Sequence, residues 1–336
     1  MKIRLLVPLL LVFTCIASSL VAAPVINKLT PVGLQAGQDV VLTVDGTDLL
    51  PNPRLIASFP IETQQVQVNP TASKVVLKLR IPSNVSAGIH TIRIVSDRGS
   101  SNHLAIAVDR LPQEAFGEKI SALPMAANGQ LAGATILKTQ FEGTKGMQIV
   151  VDVEARRLGS MARPVVRLVD SRGTQLAWSP PQVSLQGDAR CEAQLPADGT
   201  YTIHLHDLLY KGPQPGYFRL KVGELQYADR VHPIGVQRGQ SATVQPVSTN
   251  LPAGEGMNIT GENLSGQALG IGTSGLFSGT RPRVVLSNHA EVVELAGDAE
   301  SLQDAPVAPV AINGQIDRAG QASGRRWGRR APGNRY

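Results

Sequence analysis

Two stretches of this chain recur in the same order, and the second recurrence is cut short. Pro31–Leu49 aligns with Pro233–Leu251 at a constant offset of 202, without gaps, and seven of nineteen positions are identical: Pro31, Gly33, Gln35, Gly37, Gln38, Thr47 and Leu49. Pro124–Leu131 aligns with Pro309–Ile316 at an offset of 185. The order is therefore A, B, A′ and the opening of B′. A repeat defines the unit that folds, so the chain must be a row of separate modules rather than one large core. None of the repeated residues carries catalytic chemistry.

The N-terminus is expected to be an export signal occupying residues 1–23, not a folded element. Lys2 and Arg4 supply its charge, Leu5–Ile16 its apolar stretch, and Leu20-Val21-Ala22-Ala23 a small-residue cleavage zone. That stretch is shorter than the roughly 20 residues that cross a bilayer, and no other apolar run approaches that length. Cys15 reads as one more apolar residue of the signal. Removing the signal leaves Cys191 as the single cysteine, which excludes an intramolecular disulfide framework. A lone thiol in an exported protein is expected to be buried or to pair between chains.

The net charge of +6 does not describe the folded body. Residues 317–336 hold six arginines and one aspartate, and the body between signal and tail has 24 basic against 25 acidic residues. A nucleic-acid partner is therefore not expected.

Nearly every ordered-looking stretch alternates with period 2 and is rich in β-branched residues. Val75–Ile81 places Leu77, Leu79 and Ile81 on one face and Lys78 and Arg80 on the other. Val40–Val44 runs into an Asp45-Gly46 turn, and Leu104–Val108 closes the first module. Five or so short strands across residues 24–110 predict a small β-sandwich. In residues 111–225, Ile149, Val151 and Val153 form one inward row, Tyr201, Ile203 and Leu205 a second, and Phe218, Leu220 and Val222 the last. Residues 226–304 start like the first module but become rich in Gly, Ser and Thr between 254 and 279. The fold class is all-β: tandem β-sandwich modules after a signal peptide. Residues 305–317 open a second B module. Residues 318–336, rich in Gly and Arg, bury too little apolar surface to fold and are expected to be disordered.

The run from Pro24-Val25-Ile26-Asn27-Lys28-Leu29-Thr30-Pro31 through Gly37 to Val41–Leu49 resembles an IPT/TIG immunoglobulin-like domain. The string Gly143–Gly146, Leu168–Gly173, Leu195-Pro196-Ala197-Asp198-Gly199-Thr200-Tyr201 and Tyr217–Leu220 resembles the bacterial pre-peptidase C-terminal domain, similar to those in large exported proteins of planctomycete-type bacteria. These resemblances imply an Ig-like, then a jelly-roll-like, then an Ig-like sandwich. One departure stands out: the family's early Gly-Asp-x-Asp run is replaced by Gly133–Phe141, without either acid.

Motifs for catalysis are missing. Gly270-Ile271-Gly272-Thr273-Ser274-Gly275 matches G-x-G-x-x-G, but Leu276–Pro282 cannot begin the helix that a dinucleotide site needs. His204 and His206 lie i, i+2 on a strand and share a face. That face is the one opposite Tyr201, Ile203 and Leu205, so the pair is expected to point to solvent rather than hold zinc. No cofactor, metal or catalytic residue is expected. Two surfaces are candidates for a ligand: Tyr210 and Tyr217, which flank the stiff Gly212–Gly216 turn, and the loop carrying Ser274 and Phe277. The reading is an exported, non-catalytic, monomeric spacer or binding protein whose partner is an extracellular glycan or an envelope protein. The alternative is the N-terminal part of a larger secreted hydrolase whose catalytic domain lies downstream.

Overall fold

A computed structural model of the chain describes residues 22–228, 230–247, 257–260, 268–270, 283–294 and 308–314. Residues 1–21, where an export signal is expected, the loop with Ser274 and Phe277, and the tail from residue 315, expected to be disordered from 318, lie outside the described residues.

The first unit contains β1 (Val25–Thr30), β2 (Gly33–Gln35), β3 (Asp39–Thr47), β4 (Arg54–Ala57), β5 (Thr63–Val66), β6 (Lys74–Arg80), β7 (Gly88–Ser96), β8 (Gly99–Ser100) and β9 (Leu104–Asp109). They form two sheets, β1-β3-β6-β5 and β2-β9-β7-β4, with β8 on β7. The alternation in β6 is realised: Val75, Leu77 and Leu79 are buried, while Lys74 and Lys78 are exposed. Their inward row meets Leu42 and Val44 of β3, Ile92 and Ile94 of β7, and Ile106 and Val108 of β9. Each such side chain contributes about 1.5–3 kcal/mol by leaving water. The sequence suggests five strands and the structure has nine. The extra ones run two to four residues, too short for a period to show.

The second unit contains β10 (Gln113–Ala115), β11 (Met125–Gln130), β12 (Leu137–Gly143), β13 (Gln148–Glu154), β14 (Pro164–Val169), β15 (Gln175–Ser179), β16 (Ala189–Gln194), β17 (Gly199–Asp207) and β18 (Tyr217–Gly223). Its sheets are β10-β11-β18-β13-β16 and β12-β17-β14-β15. Between them lie Phe141, Ile149, Val151, Val153, Ile203, Leu205, Phe218, Leu220 and Val222, so the three rows read from the sequence do make the core. The Leu195–Tyr201 corner closes on itself: the Tyr201 hydroxyl donates to the Ala197 carbonyl at 2.6 Å.

β13 and β18 break the pattern, because they are buried on both faces. Their outward residues are charged and pair across the strands, Asp152 opposite Lys221 and Glu154 opposite Arg219. Asp109 at the end of the first unit covers Arg219, and Leu111, Leu225 and Tyr227 cover the same side of β13 at Val150. Arg219 donates to Asp109 of β9 at 2.8 Å and to Glu154 at 2.9 Å. Lys221 reaches Glu154 at 2.6 Å and Asp152 at 2.9 Å. Arg157 bridges Asp152 at 2.8 Å and Asp188 at 2.6 Å. Beside this network Val32, Ile89 and Ala107 of the first unit pack with Leu158 and Tyr217 of the second. Burial opposes the charge on Glu154, but Lys221, Arg219 and Arg157 outweigh it and hold the carboxyl below its ordinary value.

The third unit contains β19 (Arg230–His232), β20 (Gly235–Gln237), β21 (Ser241–Val247), β22 (Met257–Thr260), β23 (Ala268–Gly270) and β24 (Arg283–Ser287), in sheets β19-β21-β22 and β20-β24-β23. Val231, Val236, Val244, Ile259, Val284 and Leu286 form its core among the described residues. It repeats the first unit's plan: β2 lies parallel to β9 as β20 lies parallel to β24. After it come β25 (Ala290–Val293) and β26 (Val310–Asn313), a parallel pair that repeats β10 and β11.

Cys191 sits in the second unit's core and forms no disulfide. Burial, then Glu192 and Asp152, push its thiol up to about 12. At neutral pH it stays protonated, and the thiolate is the reactive form. Iodoacetamide is expected to label Cys191 only in denaturant. Equal labelling of native protein, read by intact mass, would contradict that burial.

Candidate functional site

The sheet β12-β17-β14-β15 has one face on the core and the other in solvent. On β17, Tyr201, Ile203 and Leu205 are buried and His204 and His206 lie on the opposite face. Strand register then decides what stands beside His204. Lys138 of β12 is opposite it on one side, Arg167 of β14 on the other, and Trp178 of β15 is opposite Arg167. The four side chains form one transverse row: cation, imidazole, cation, indole. With strands about 4.8 Å apart, the row is roughly 14 Å across. Trp178 is 50% exposed, unusual for a tryptophan without a partner to cover it.

The row is electropositive. Partial burial, then Lys138, Arg167 and His206, lower the pKa of His204. Its neutral ring offers a donor and an acceptor between two fixed cations. Gln140 and Thr202 continue the polar surface on the next pair, 3.5 Å apart.

His206 is fixed differently. Its Nδ1 lies 3.0 Å from the Asp207 carbonyl, so that nitrogen must donate, and the Tyr210 hydroxyl donates to Nε2 at 3.3 Å. The two rings stack at 4.4 Å and 11°. Tyr210 takes a left-handed backbone, φ 49°, disfavoured for a side chain with a Cβ. The stack on His206, and the hydrogen bond from the Tyr210 N–H to the Asp207 carbonyl at 3.0 Å, hold it there, 47% exposed.

The tyrosine pair singled out in the sequence is therefore split in role. Tyr210 stands on the solvent side. Tyr217 is half-buried at the contact between the first two units, its hydroxyl donating to the Leu158 carbonyl at 2.8 Å. Ser274 and Phe277 lie outside the described residues. Asp207, one possible third ligand for a histidine-held metal, instead accepts the N–H groups of Arg163 and Leu209. Among the described residues no group of three metal-ligating side chains occurs. Lys138, Arg167 and Trp178 were not recognisable as one site in the sequence, because only cross-strand register joins them.

A concavity, an open groove of about 640 Å³, lies on the first unit between Leu50–Arg54, Gln64, Val66 and Pro70. Its one charged lining residue is Arg54, and the Gln64 amide is occupied by both backbone groups of Leu55.

No helix among the described residues is long and apolar enough to cross a membrane. No family model matches the chain, and no curated protein matches its sequence. Solved structures share its β architecture at low similarity. The periplasmic g-type lysozyme inhibitor PliG of Aeromonas hydrophila is 14% identical, covering 33% of this chain and 93% of that one, with a TM-score of 0.24. The protein SGBP-B of a Bacteroides ovatus mixed-linkage glucan utilization locus, solved with a heptasaccharide, is 11% identical, covering 57% and 71%, with a TM-score of 0.21. The titin Ig tandem A164-A165 is 12% identical, covering 59% and 93%, with a TM-score of 0.20. At these scores the likenesses carry no argument about what this chain binds.

Proposed function

We propose that this chain is an exported, non-catalytic binding protein. Its second unit holds an anionic glycan on the open face of β12-β17-β14-β15. The two Ig-like units, which we read as IPT/TIG-like around a pre-peptidase-C-terminal-like sandwich, act as spacers. The observation that carries the reading is the row Lys138–His204–Arg167–Trp178. A flat, exposed indole suits the apolar face of a sugar ring, and flanking cations suit carboxylate or sulfate groups. A neutral glycan would leave the cations without partners, and a protein partner would want several clustered anchor side chains where this row has Trp178 alone as its aromatic.

The reading is tested by calorimetric titration of the whole mature chain with polygalacturonate, heparin and a neutral β-glucan. Saturable binding to an anionic polymer is expected, weakened at least tenfold by Trp178→Ala and by Arg167→Ala with unchanged melting temperature. A bound anion stabilises the His204 imidazolium, so binding takes up a proton and tightens as pH falls toward the lowered pKa of the unbound His204. Binding to none of the three polymers, or equal affinity in both variants, would sink the proposal.

A further inference from the structure

The junction between the first two units is built twice, and among the described residues the second copy lacks a strand. β10 and β11 run parallel with Gln113 opposite Ala126 and Ala115 opposite Asn128. β25 and β26 run parallel with Glu291 opposite Ala311 and Val293 opposite Asn313. The sequence repeat equates Asn128 with Asn313, and the shared register then equates Gln113 with Glu291.

In the first copy β11 is an interior strand. Its second edge carries β18, antiparallel, with Arg219 opposite Asn128. Arg219 Nε lies 3.2 Å from Gln113 Oε1, and the side chain fills the space above Gly33, where a Cβ would collide with Nε. In the second copy β26 is an edge strand, and among the described residues nothing pairs with its other side. Its Ile312 is 42% exposed.

The space above Gly235, the counterpart of Gly33, holds the Glu291 carboxylate instead. Asn313 is locked beneath it. Its Oδ1 accepts the N–H groups of Ile234 and Gly235 at 3.0 Å, and its Nδ2 donates to Glu291 at 2.8 Å. A neutral amide that meets an arginine in the first copy is thus a carboxylate in the second, preset at the register where an added strand would bring its cation.

We propose that the open edge of β26 is an acceptor for an antiparallel strand from a second polypeptide. That strand resembles Tyr217–Gly223 and carries an arginine opposite Asn313 that pairs with Glu291. Main-chain hydrogen bonds would supply affinity and the Arg–Glu pair would fix register, as in recognition by strand addition. Pairing of two β26 edges would bring Glu291 no cation, because Val310–Asn313 carries none. The chain's own residues 325–330 are arginine-rich, but they offer one apolar side chain, Trp327, where β18 alternates Phe218, Leu220 and Val222.

The test is fluorescence anisotropy of a labelled peptide, residues 216–224, with the full chain. Saturable binding is expected. It should weaken at least tenfold when the peptide carries Arg219→Ala, and Glu291→Gln in the protein should weaken the arginine peptide while leaving the alanine peptide unaffected. The variant Arg325→Ser/Arg326→Ser/Arg329→Ser/Arg330→Ser should bind as the parent does. No saturable binding, or equal effects of Glu291→Gln on both peptides, would overturn the proposal. Binding to the quadruple variant alone would also overturn it, by making the tail the occupant.

Discussion

Arg219→Ala is expected to destabilise the joined first and second units by about 3–5 kcal/mol, the usual cost of breaking a buried ion pair from one side. Arg219 is fully buried, and its guanidinium neutralises Asp109 from one unit and Glu154 from the other. Without it Asp109 loses its only ion pair among the described residues, while Glu154 keeps Lys221. The shortfall therefore falls on the contact between units. Urea unfolding followed by tryptophan and far-ultraviolet signals should show a lower midpoint and two transitions where the parent shows one. A midpoint within 1 kcal/mol of the parent, still a single transition, would mean that the apolar contacts of Val32, Ala107 and Leu158 carry the junction. Acid should act on the same place. Glu154 titrates below its ordinary 4.5 in the folded chain, so its stabilisation is complete above that value. It is lost as pH falls through the lowered one.

Asp188→Ala is expected to cost about 3 kcal/mol or more, from several hydrogen bonds at about 1–3 kcal/mol for each buried group left unpaired. Asp188 Oδ1 accepts the N–H groups of Ala155 at 3.0 Å and Arg156 at 2.6 Å. Oδ2 accepts Arg157 N at 3.2 Å and Arg157 Nε at 2.6 Å. One carboxylate thereby caps the short turn after β13 and aims Arg157 at Asp152. Asp188→Asn, which keeps the shape and one acceptor oxygen, should recover part of the loss. If asparagine and alanine are equally harmful, the charge matters and the capping geometry does not. If both are harmless, the turn is held by something else.

The alternation of Val75–Arg80, of Ile149–Val153 and of Phe218–Val222 made the cores readable from sequence, because period 2 reports which side of a strand leaves water. The same rule misleads at Asp152, Glu154, Arg219 and Lys221. Charges between apolar residues look like a solvent face, and only the approach of Asp109 from another unit shows that they are sealed. His204 was legible as outward-facing. Its neighbours Lys138 and Arg167 were not, since they stand 66 and 37 positions away and meet it through register. Tyr210 and Tyr217 are close in sequence and divided by the fold, which is why the turn between them did not describe one surface. The repeat told more than its length suggested, because Asn128 and Asn313 mark the same junction twice.

The seal around Arg219 also decides how the pair of units answers to its surroundings. Ions in solution screen charges over about 8 Å at physiological strength, but only where water and ions can enter. A joint made of surface salt bridges would soften as the medium became saltier. This one keeps its charges out of reach, so the angle between the two sandwiches, and the direction in which Trp178 and Arg167 face, should be the same in dilute and in concentrated salt. Lys138 and Arg167, being exposed, would not share that indifference: salt should tune the proposed grip on an anion and leave the aim unchanged.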